Sequence, residues 1–354
     1  MTGIPGFASL PDLASRALGG SVVSANDDLF AEKENLIRPQ PPAFTATDYG
    51  PRGKVYDGWE TRRRRQPGHD HAIVRLGVPG VVRGVVVDTS FFTGNYPPQV
   101  SVEAVGADGY PSPDELAGMD WHPLAERADA QGDTANFYPV ADQRRWTHVR
   151  LSIYPDGGVA RLRVHGEPVP DPAFLEGTID LAALENGGQL VDCSDAFYGS
   201  AINLIRPGVA RGMADGWENA RRRDAGHDHV TVALAGVGVV REVDIDTSYF
   251  VGNAPGSARL LAATLESAGV AAPGVVLAGG APSVPVNFDW QELLPRTRLQ
   301  PDTRHRFLVR AGQPVTHVRL EVFPDGGVAR LRVRGDLTQD GLAALRERYQ
   351  ATVP

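Results

Sequence analysis

The chain has 354 residues, which is long enough for two domains that each bury a core. Its formal net charge of -8 argues against a general nucleic-acid surface, because such a surface needs an excess of lysine and arginine. The single cysteine, Cys193, excludes an internal disulfide and fits a reducing compartment. No stretch approaches the roughly 20 apolar residues of a membrane helix, and the first residues lack the basic and apolar regions of a signal peptide. We therefore expect a cytoplasmic protein that binds neither membranes nor nucleic acids.

The sequence contains few helical signals, and each of the three is short. The first is a short helix predicted at residues 10–18, with Pro11 and Asp12 near its start and two glycines after its end. A similar signal at residues 180–185 is also followed by two glycines. A third helix is predicted at residues 339–349, where apolar residues recur at helical spacing.

Most of the remaining pattern predicts short β-strands. Four segments of the first half are rich in valine and isoleucine and are bounded by Gly, Pro or Asp: 72–76, 81–88, 149–153 and 159–164. The sequence Pro-Asp-Gly-Gly at 155–158 predicts a hairpin turn between the last two segments. In the last segment Arg161 and Arg163 alternate with apolar residues, so we predict one buried face and one solvent-exposed face.

The sequence is an internal duplication, because four motifs recur in the same order. The repeat is too long for a solenoid. The motif pairs are NLIRP at 35–39 and 203–207, DGWETRRRRQPGHDH at 57–71 with DGWENARRRDAGHDH at 215–229, DTSFFTGN at 88–95 with DTSYFVGN at 246–253, and THVRLSIYPDGGVARLRVHG at 147–166 with THVRLEVFPDGGVARLRVRG at 316–335.

The duplication predicts two tandem domains of the same fold. Regularly spaced short strands with turn signals and few helices favour an all-β antiparallel sandwich or jelly roll in each repeat. We assign the first repeat to residues 1–166 and the second to 180–335. Closely spaced prolines predict a stiff, extended linker at 167–179, and a helical tail follows at 336–354.

The His-Asp-His triplet ends the longest polar motif. In an extended segment His69 and His71 project to one face and Asp70 to the other, which could bind a divalent metal or supply a general acid or base. The alternative is a loop that enters the strand at 72–76, with one histidine capping the backbone and the other solvated. A closed zinc site is disfavoured because the only thiol lies elsewhere in the sequence.

The arginine run precedes this triplet and allows two interpretations. A guanidinium can hold a carboxylate through two hydrogen bonds, so an arginine of residues 62–65 could bind an anionic substrate. Alternatively, the run is a solvated edge strand paired with neighbouring acids. Trp59 and its counterpart Trp217 are predicted to be core anchors.

The third motif places two polar residues around a loop. Asn95 could exchange hydrogen bonds with an amide-like ligand, whereas Asp88 and Thr89 could equally cap the turn. No phosphate-binding loop, dinucleotide fingerprint or GxSxG nucleophile motif is present in the sequence.

Together, the tandem motifs DGWETRRRR…GHDH, DTSFFTGN and PDGGVARLRV resemble the allantoicase family over nearly the whole chain. The resemblance implies a pair of galactose-binding-like jelly-roll sandwiches. It also implies a hydrolase that acts on C–N bonds other than peptide bonds, in linear amidines. The expected reaction converts allantoate to ureidoglycolate and urea in the degradation of allantoin and purines.

The substrate that the resemblance implies dictates a set of roles. Allantoate carries one carboxylate and two ureido groups, so its site needs a cation, amide-matching hydrogen bonds and a proton for the departing urea. Histidine titrates near neutrality, which makes His69 the first candidate for the acid or base. We predict His69, Asp70 and Glu60 as catalytic residues and, as substrate-binding residues, Asp57, Arg63, Arg65, Asp88 and Asn95.

The second repeat keeps the equivalents of these residues but not every neighbour. It has Asn219 and Ala220 where the first repeat has Thr61 and Arg62, so we favour the first repeat as the complete site. A site between the two domains stays open as an alternative. The second-repeat equivalents are Asp215, Glu218, Arg221, Arg223, His227, Asp228, Asp246 and Asn253.

Three further expectations complete the sequence-based prediction. We expect no cofactor, with a divalent metal at the histidines left open. We also expect a homo-oligomer. The competing functional class is a non-catalytic jelly-roll protein that binds a carbohydrate or another small ligand.

Overall fold

The computed structural model describes residues 3–265, 288–310 and 312–354. The chain divides into two compact units, Met1–Val169 with Ala351–Pro354, and Pro170–Gln350. Both units consist mainly of antiparallel strands, which agrees with the predicted tandem all-β sandwiches. Among the helices that the structure describes, none is long and apolar enough to cross a membrane.

One long strand organises the first unit. Strand β5 has 19 residues and changes register between Arg75 and Gly80, so its two halves pair with different strands. The first half lies in the order β1-β5-β9-β6-β7, and the second half pairs with β8 and β11. The strands of the first unit are β1 Ser21–Ala25, β2 Tyr49–Gly50, β3 Gly53–Lys54, β4 Trp59–Glu60, β5 Asp70–Asp88, β6 Gln99–Val105, β7 His122–Asp129, β8 Ala135–Pro139, β9 Arg145–Tyr154, β10 Gly158–Val159 and β11 Arg161–Pro168.

The second unit repeats this plan. Its own 19-residue strand, β15, pairs with β13 and β19 near its start and with β18 and β21 near its end. The described strands of this unit are β12 Thr178–Asp180, β13 Gln189–Cys193, β14 Trp217–Glu218, β15 Asp228–Asp246, β16 Ser257–Ala263, β17 Gln291–Arg298, β18 Arg304–Leu308, β19 Val315–Phe323, β20 Gly327–Val328 and β21 Arg330–Leu337.

The helices are short, and two of the predicted ones are wrong. Only a 3-10 turn, Arg16–Leu18, forms within residues 10–18, because the Asp12 carboxylate accepts a 2.9 Å hydrogen bond from the Val164 backbone N–H and ties the segment to β11. Residues 180–185 likewise join strand β12 to a 3-10 turn. The described helices are α1 Pro113–Ala117 and α2 Gln339–Thr352, with 3-10 turns at Gly6–Ser9, Arg16–Leu18, Lys33–Ile37, Pro172–Leu175, Leu184–Asn186, Ala201–Ile205 and Met213–Asp215.

The segment that we predicted to be a stiff linker is instead part of the two folded units. Residues 167 and 168 end strand β11, Pro172 starts the 3-10 turn Pro172–Leu175, and strand β12 pairs with β21. The hydrogen bonds of the β12 pairing are long-range contacts that the proline spacing could not reveal. The predicted tail helix forms as α2, Gln339–Thr352.

The prediction of a solvent-exposed arginine face on β11 is wrong for Arg161, which is only 1% exposed. Its guanidinium donates to the Asp57 carboxylate at 2.6 Å and to the backbone carbonyls of Asp57 and Gln40 at 2.8 and 3.0 Å. These acceptors satisfy the charge and the N–H groups of the buried Arg161. They come from a distant segment of the chain, so the local pattern could not reveal them. Arg330 is the buried equivalent in the second unit, where burial lowers its pKa to about 10.

The turn at residues 155–158, called the PDGG turn below, depends on its two glycines. Gly157 adopts a φ of 142°, a conformation that other residues rarely take. A Cβ on Gly158 would lie 2.0 Å from the ring of Phe92, which is fully buried. The turn can therefore approach the loop that follows β5, and this approach positions the candidate site.

Candidate active site

The PDGG turn brings together three motifs that are far apart in the sequence. The Gly158 backbone N–H donates to the carbonyl of Asn95 at 2.7 Å. The Gly157 carbonyl accepts from the backbone N–H of Thr61 at 3.1 Å, and the Asp70 backbone N–H donates to the Pro155 carbonyl at 3.2 Å. The acidic, basic and histidine-bearing stretches of the first repeat thus surround one turn.

Glu60 and Asn95 form the most distinctive polar pair next to this turn. The Asn95 side-chain amide donates to Glu60 Oε1 at 2.7 Å, and both residues are half-buried. Burial raises the pKa of the Glu60 carboxyl, and the hydrogen bond from Asn95 partly opposes that rise. A carboxyl with a raised pKa is suited to proton transfer, since it is closer to the working pH than an ordinary glutamate.

Asp70 lies at the start of β5 and is only 2% exposed. Its Oδ1 accepts from Arg64 Nη1 at 2.5 Å and from the Asn26 amide at 2.9 Å, while Arg64 also donates its backbone N–H to Asp156 at 2.7 Å. Asp70 Oδ2 and Arg64 Nε are also buried, and neither has a hydrogen-bond partner among the described residues. This buried pair holds the arginine loop against the PDGG turn.

His69 and His71 project to the same side, as the strand pattern predicted, with ring centroids 6.2 Å apart. His69 is exposed and its ring lies 4.8 Å from that of Tyr154. His71 is half-buried, and burial lowers the pKa of its imidazole, with Arg150 adding to the effect. The His71 backbone N–H donates to the Asn26 side-chain oxygen at 2.7 Å, which ties the start of β5 to the segment after β1.

Sequence reasoning missed Tyr154 and the residues around it. The Tyr154 hydroxyl lies 3.0 Å from Ser101 Oγ, and the guanidinium carbon of Arg127 lies 4.1 Å from the centroid of the tyrosine ring. These residues come from three separate strands, so no local motif joins them. A signal was nevertheless present, because Tyr154 becomes Phe323 within an otherwise nearly unchanged repeat.

The four consecutive arginines have different environments. Arg64 is held by Asp70, and Arg62 pairs with Asp27 at 2.5 Å. Arg63 and Arg65 are exposed and form no ion pair within the described part of the chain. These two guanidiniums are therefore the available ones for an anionic ligand.

Two predicted substrate-binding carboxylates are engaged in the fold. Asp57 accepts hydrogen bonds from Arg161, Arg38 and the Ala43 backbone N–H, at 2.6, 3.1 and 3.1 Å. These bonds hold its pKa below the usual range, although burial acts in the opposite direction and is the largest contribution. Asp88 accepts from the backbone N–H and hydroxyl of Ser90 at 2.9 and 2.6 Å, which is the turn-capping alternative.

The second unit reproduces the framework of the first. Asn253 donates to Glu218 at 2.6 Å, and the buried Asp228 accepts from Arg222 at 2.8 Å. Asp246 accepts from Ser248, as Asp88 does from Ser90. The remaining predicted equivalents have the positions expected from the duplication: Asp215 caps the backbone N–H of Arg211 at 2.9 Å, and Arg221 and Arg223 are exposed.

The histidine region is where the two units differ. His227 Nε2 lies 3.5 Å from Glu321, which also accepts from Arg259 Nε at 2.7 Å. The corresponding positions of the first unit are Ser152 and Ser101, and His69 forms no ion pair in the described residues. His229 is also engaged, at 2.9 Å from Asp192.

The described side chains of the two units form no recognisable metal centre. Within residues 3–265, 288–310 and 312–354, no three His, Cys, Asp or Glu side chains converge in a way that could hold a metal ion. The residues around the PDGG turn include the Glu60 carboxyl, the His69 imidazole and the Tyr154 phenol, and the adjacent arginine run carries the exposed Arg63 and Arg65. A carboxyl and an imidazole can transfer protons, and a guanidinium can bind an anion.

Comparisons with known proteins agree with this arrangement. The family model "Allantoicase repeat" matches residues 11–169 and again residues 179–338. The chain is 56% identical to a probable allantoicase of Nocardia farcinica, over 94% of this chain and 96% of the relative. It is 47% identical to a probable allantoicase of Streptomyces coelicolor, over 97% of this chain and 90% of the relative.

Solved structures give the same result. The crystal structure of allantoicase from Saccharomyces cerevisiae matches 93% of this chain and 94% of its own chain, with a TM-score of 0.76 and 32% identity. A second allantoicase structure matches 91% of this chain and 92% of its own, with a TM-score of 0.75 and 33% identity. Because two family repeats and full-length relatives cover almost the whole sequence, the chain belongs to the allantoicase family.

Proposed function

We propose that this chain hydrolyses allantoate to ureidoglycolate and urea, as a step in the degradation of allantoin and purines, and that the reaction takes place in the first unit. The observation that carries the proposal is the meeting of three family motifs at the PDGG turn, where Glu60 is paired with Asn95 and is followed in the chain by the exposed Arg63 and Arg65. Family membership supports hydrolysis over the alternative of a non-catalytic binding module.

Side chains of the first unit have separate roles in binding the substrate and in holding the site. Its carboxylate pairs with Arg63 and Arg65, since a guanidinium offers two parallel N–H donors to a carboxylate. Asn95 orients the Glu60 carboxyl through their 2.7 Å hydrogen bond. Asp70 acts indirectly, because its buried pairing with Arg64 fixes the loop that carries the other arginines.

The reaction replaces one C–N bond at the central carbon with a C–O bond. Glu60, as the general base, takes a proton from water while the water oxygen bonds to the central carbon. His69, as the general acid, gives a proton to the departing ureido nitrogen, which leaves as urea. Glu60 gains one proton and His69 loses one, and exchange with solvent then returns both side chains to their starting protonation states.

Three parts of the proposal extend beyond the reaction. The chemistry uses no cofactor, because the acid and base are both side chains. The cytoplasmic location rests on the single cysteine, Cys193, which forms no disulfide. We also propose that the chain forms a homo-oligomer, which sedimentation of the purified protein would test.

The test is urea release from allantoate by the purified full-length chain, with and without a chelator. We expect release in both conditions, and an activity lost with the chelator and restored by a metal would overturn the cofactor-free chemistry. Replacing His69 with Ala should lower kcat by about 1000-fold without changing the melting temperature, in the range of general acid catalysis. Unchanged turnover in this variant would remove His69 from the mechanism.

A further inference from the structure

The histidine-bearing face of the first unit has a floor made of small side chains. Strands β5, β9 and β6 are adjacent there, and His71, Ser152 and Ser101 occupy directly paired positions on them. Paired residues point to the same face of a sheet. Ser101 and Ser152 are 8% and 1% exposed, and they share this face with the larger side chains of His71 and Tyr154.

Tyr154 combines a flat ring with a polar end on this face. Its ring centroid is 4.8 Å from that of His69, and its hydroxyl is 3.0 Å from Ser101 Oγ. A hydroxyl can both donate and accept, as can the neutral imidazole that burial favours at His71. Such a surface complements a planar ureido group, which carries N–H donors beside a C=O acceptor.

The same face of the second unit is occupied by the unit's own charges. Arg259 and Glu321 replace the two serines at the paired positions, and they form an ion pair at 2.7 Å. Glu321 also reaches His227 at 3.5 Å, and Phe323 supplies no hydroxyl. The four groups that would recognise a ureido group are thereby replaced or engaged.

We propose that Tyr154 and His71, above Ser101 and Ser152, form the subsite that binds a ureido group of the substrate, and that the Arg259–Glu321 pair closes the equivalent face of the second unit. This inference rests on the proposed function and deepens it, because it names the substrate group that this face recognises. It also gives a structural reason for one working site in each chain.

The second unit itself supplies the decisive variant. Replacing Ser101 with Arg and Ser152 with Glu places the Arg–Glu pair of the second unit at the matching positions of the first unit. The sheet of the second unit already accommodates this pair. We expect kcat/KM for allantoate to fall by roughly 100-fold, because the new side chains fill the subsite and compete for His69. The matched control replaces Arg259 and Glu321 with Ser, and it should leave allantoate hydrolysis unchanged.

N-Carbamoylglycine, which carries one carboxylate and one ureido group, serves as the probe for binding alone. It should inhibit the unmodified chain competitively, and the Ser101→Arg, Ser152→Glu variant should bind it at least about tenfold more weakly. Wild-type kinetics and inhibition in that variant would overturn the inference. An unmodified chain that releases no urea would refute the proposed function instead, so the two failures can be told apart.

A more conservative variant tests the subsite even if the double variant does not fold. Replacing Tyr154 with Phe reproduces the residue of the second unit and removes only the hydroxyl. We expect KM for allantoate to rise by about tenfold with little change in kcat, since one hydrogen bond to the bound ureido group is lost. An unchanged KM would also overturn the inference.

Discussion

The two units share the same hydrogen-bonded pairs but differ in the side chains at the histidine face. Both units hold a Glu–Asn pair and a buried Asp–Arg pair around a PDGG turn, with nearly equal distances. They differ at the histidine face, where Ser152 and Tyr154 of the first unit become Glu321 and Phe323 of the second. The two units therefore share the polar residues around the turn, including the proposed acid and base, and they differ in the residues that surround those groups at the histidine face.

The largest expected difference between the units concerns Glu60 and Glu218. Replacing Glu60 with Gln keeps the size of the side chain and a possible bond to Asn95, but it removes the proton acceptor. We expect kcat for urea release to fall by about 1000-fold, within the range of general base catalysis. Replacing Glu218 with Gln should leave kcat within about twofold, because the second face is closed. Equal losses in the two variants would contradict a single working unit.

The buried Asp–Arg pairs should instead behave alike in the two units. Replacing Asp70 with Ala leaves Arg64 without its buried partner, and replacing Asp228 with Ala does the same to Arg222. We expect each change to lower the free energy of unfolding of its unit by about 2 kcal/mol, because a partly exposed arginine loses its charge-assisted hydrogen bonds to a buried carboxylate. Chemical denaturation measures the effect. A destabilised Asp70 variant beside an unaffected Asp228 variant would show that the frameworks are not equivalent.

Sequence reasoning predicted the fold class and the motifs that meet, but not the role of each polar residue in them. The duplication and the strand pattern were sufficient for two β-sandwiches. Which arginine of the run is engaged in the fold depends instead on a distant partner, since the Arg64 backbone is held by Asp156 while its guanidinium pairs with Asp70. The same long-range dependence moved Asp57 from a predicted ligand contact to the partner of the buried Arg161.

The missed residues of the site have a common physical cause. Tyr154, Ser101 and Arg127 come from different strands, and only the pairing of β9 with β6 and of β6 with β7 brings them together. Local patterns carry no information about such pairings. A comparison of the two repeats position by position would have marked Tyr154, because tyrosine and serine change to phenylalanine and glutamate in an otherwise similar strand.

The exposed arginines should affect binding more than turnover. Replacing Arg63 and Arg65 together with Gln should raise KM for allantoate by about 30-fold with little loss of kcat, because the charge-assisted bonds to the substrate carboxylate are lost. The matched variant replaces Arg221 and Arg223 with Gln in the second unit and should have wild-type KM. A wild-type KM in the first variant would place the anion elsewhere.

The smallest predicted effect is a shift in the pH dependence. The hydrogen bond from Asn95 lowers the pKa of Glu60 against the rise caused by burial, so replacing Asn95 with Ala should raise this pKa further. Because the general base acts as the carboxylate, activity is lost as pH falls through that pKa. The acid limb of kcat/KM should therefore move to higher pH, and it should stay in place when Asn253 is replaced with Ala. A shift to lower pH would contradict the role of Glu60 as the base.

The number of binding sites in each chain tests the central comparison most directly. Calorimetric titration of the full-length chain with N-carbamoylglycine should give one site. Its affinity should fall at least about tenfold in the Ser101→Arg, Ser152→Glu variant and stay unchanged when Arg259 and Glu321 are replaced with Ser. Two equivalent sites in the unmodified chain, or one site that is lost through changes in the second unit, would contradict the account.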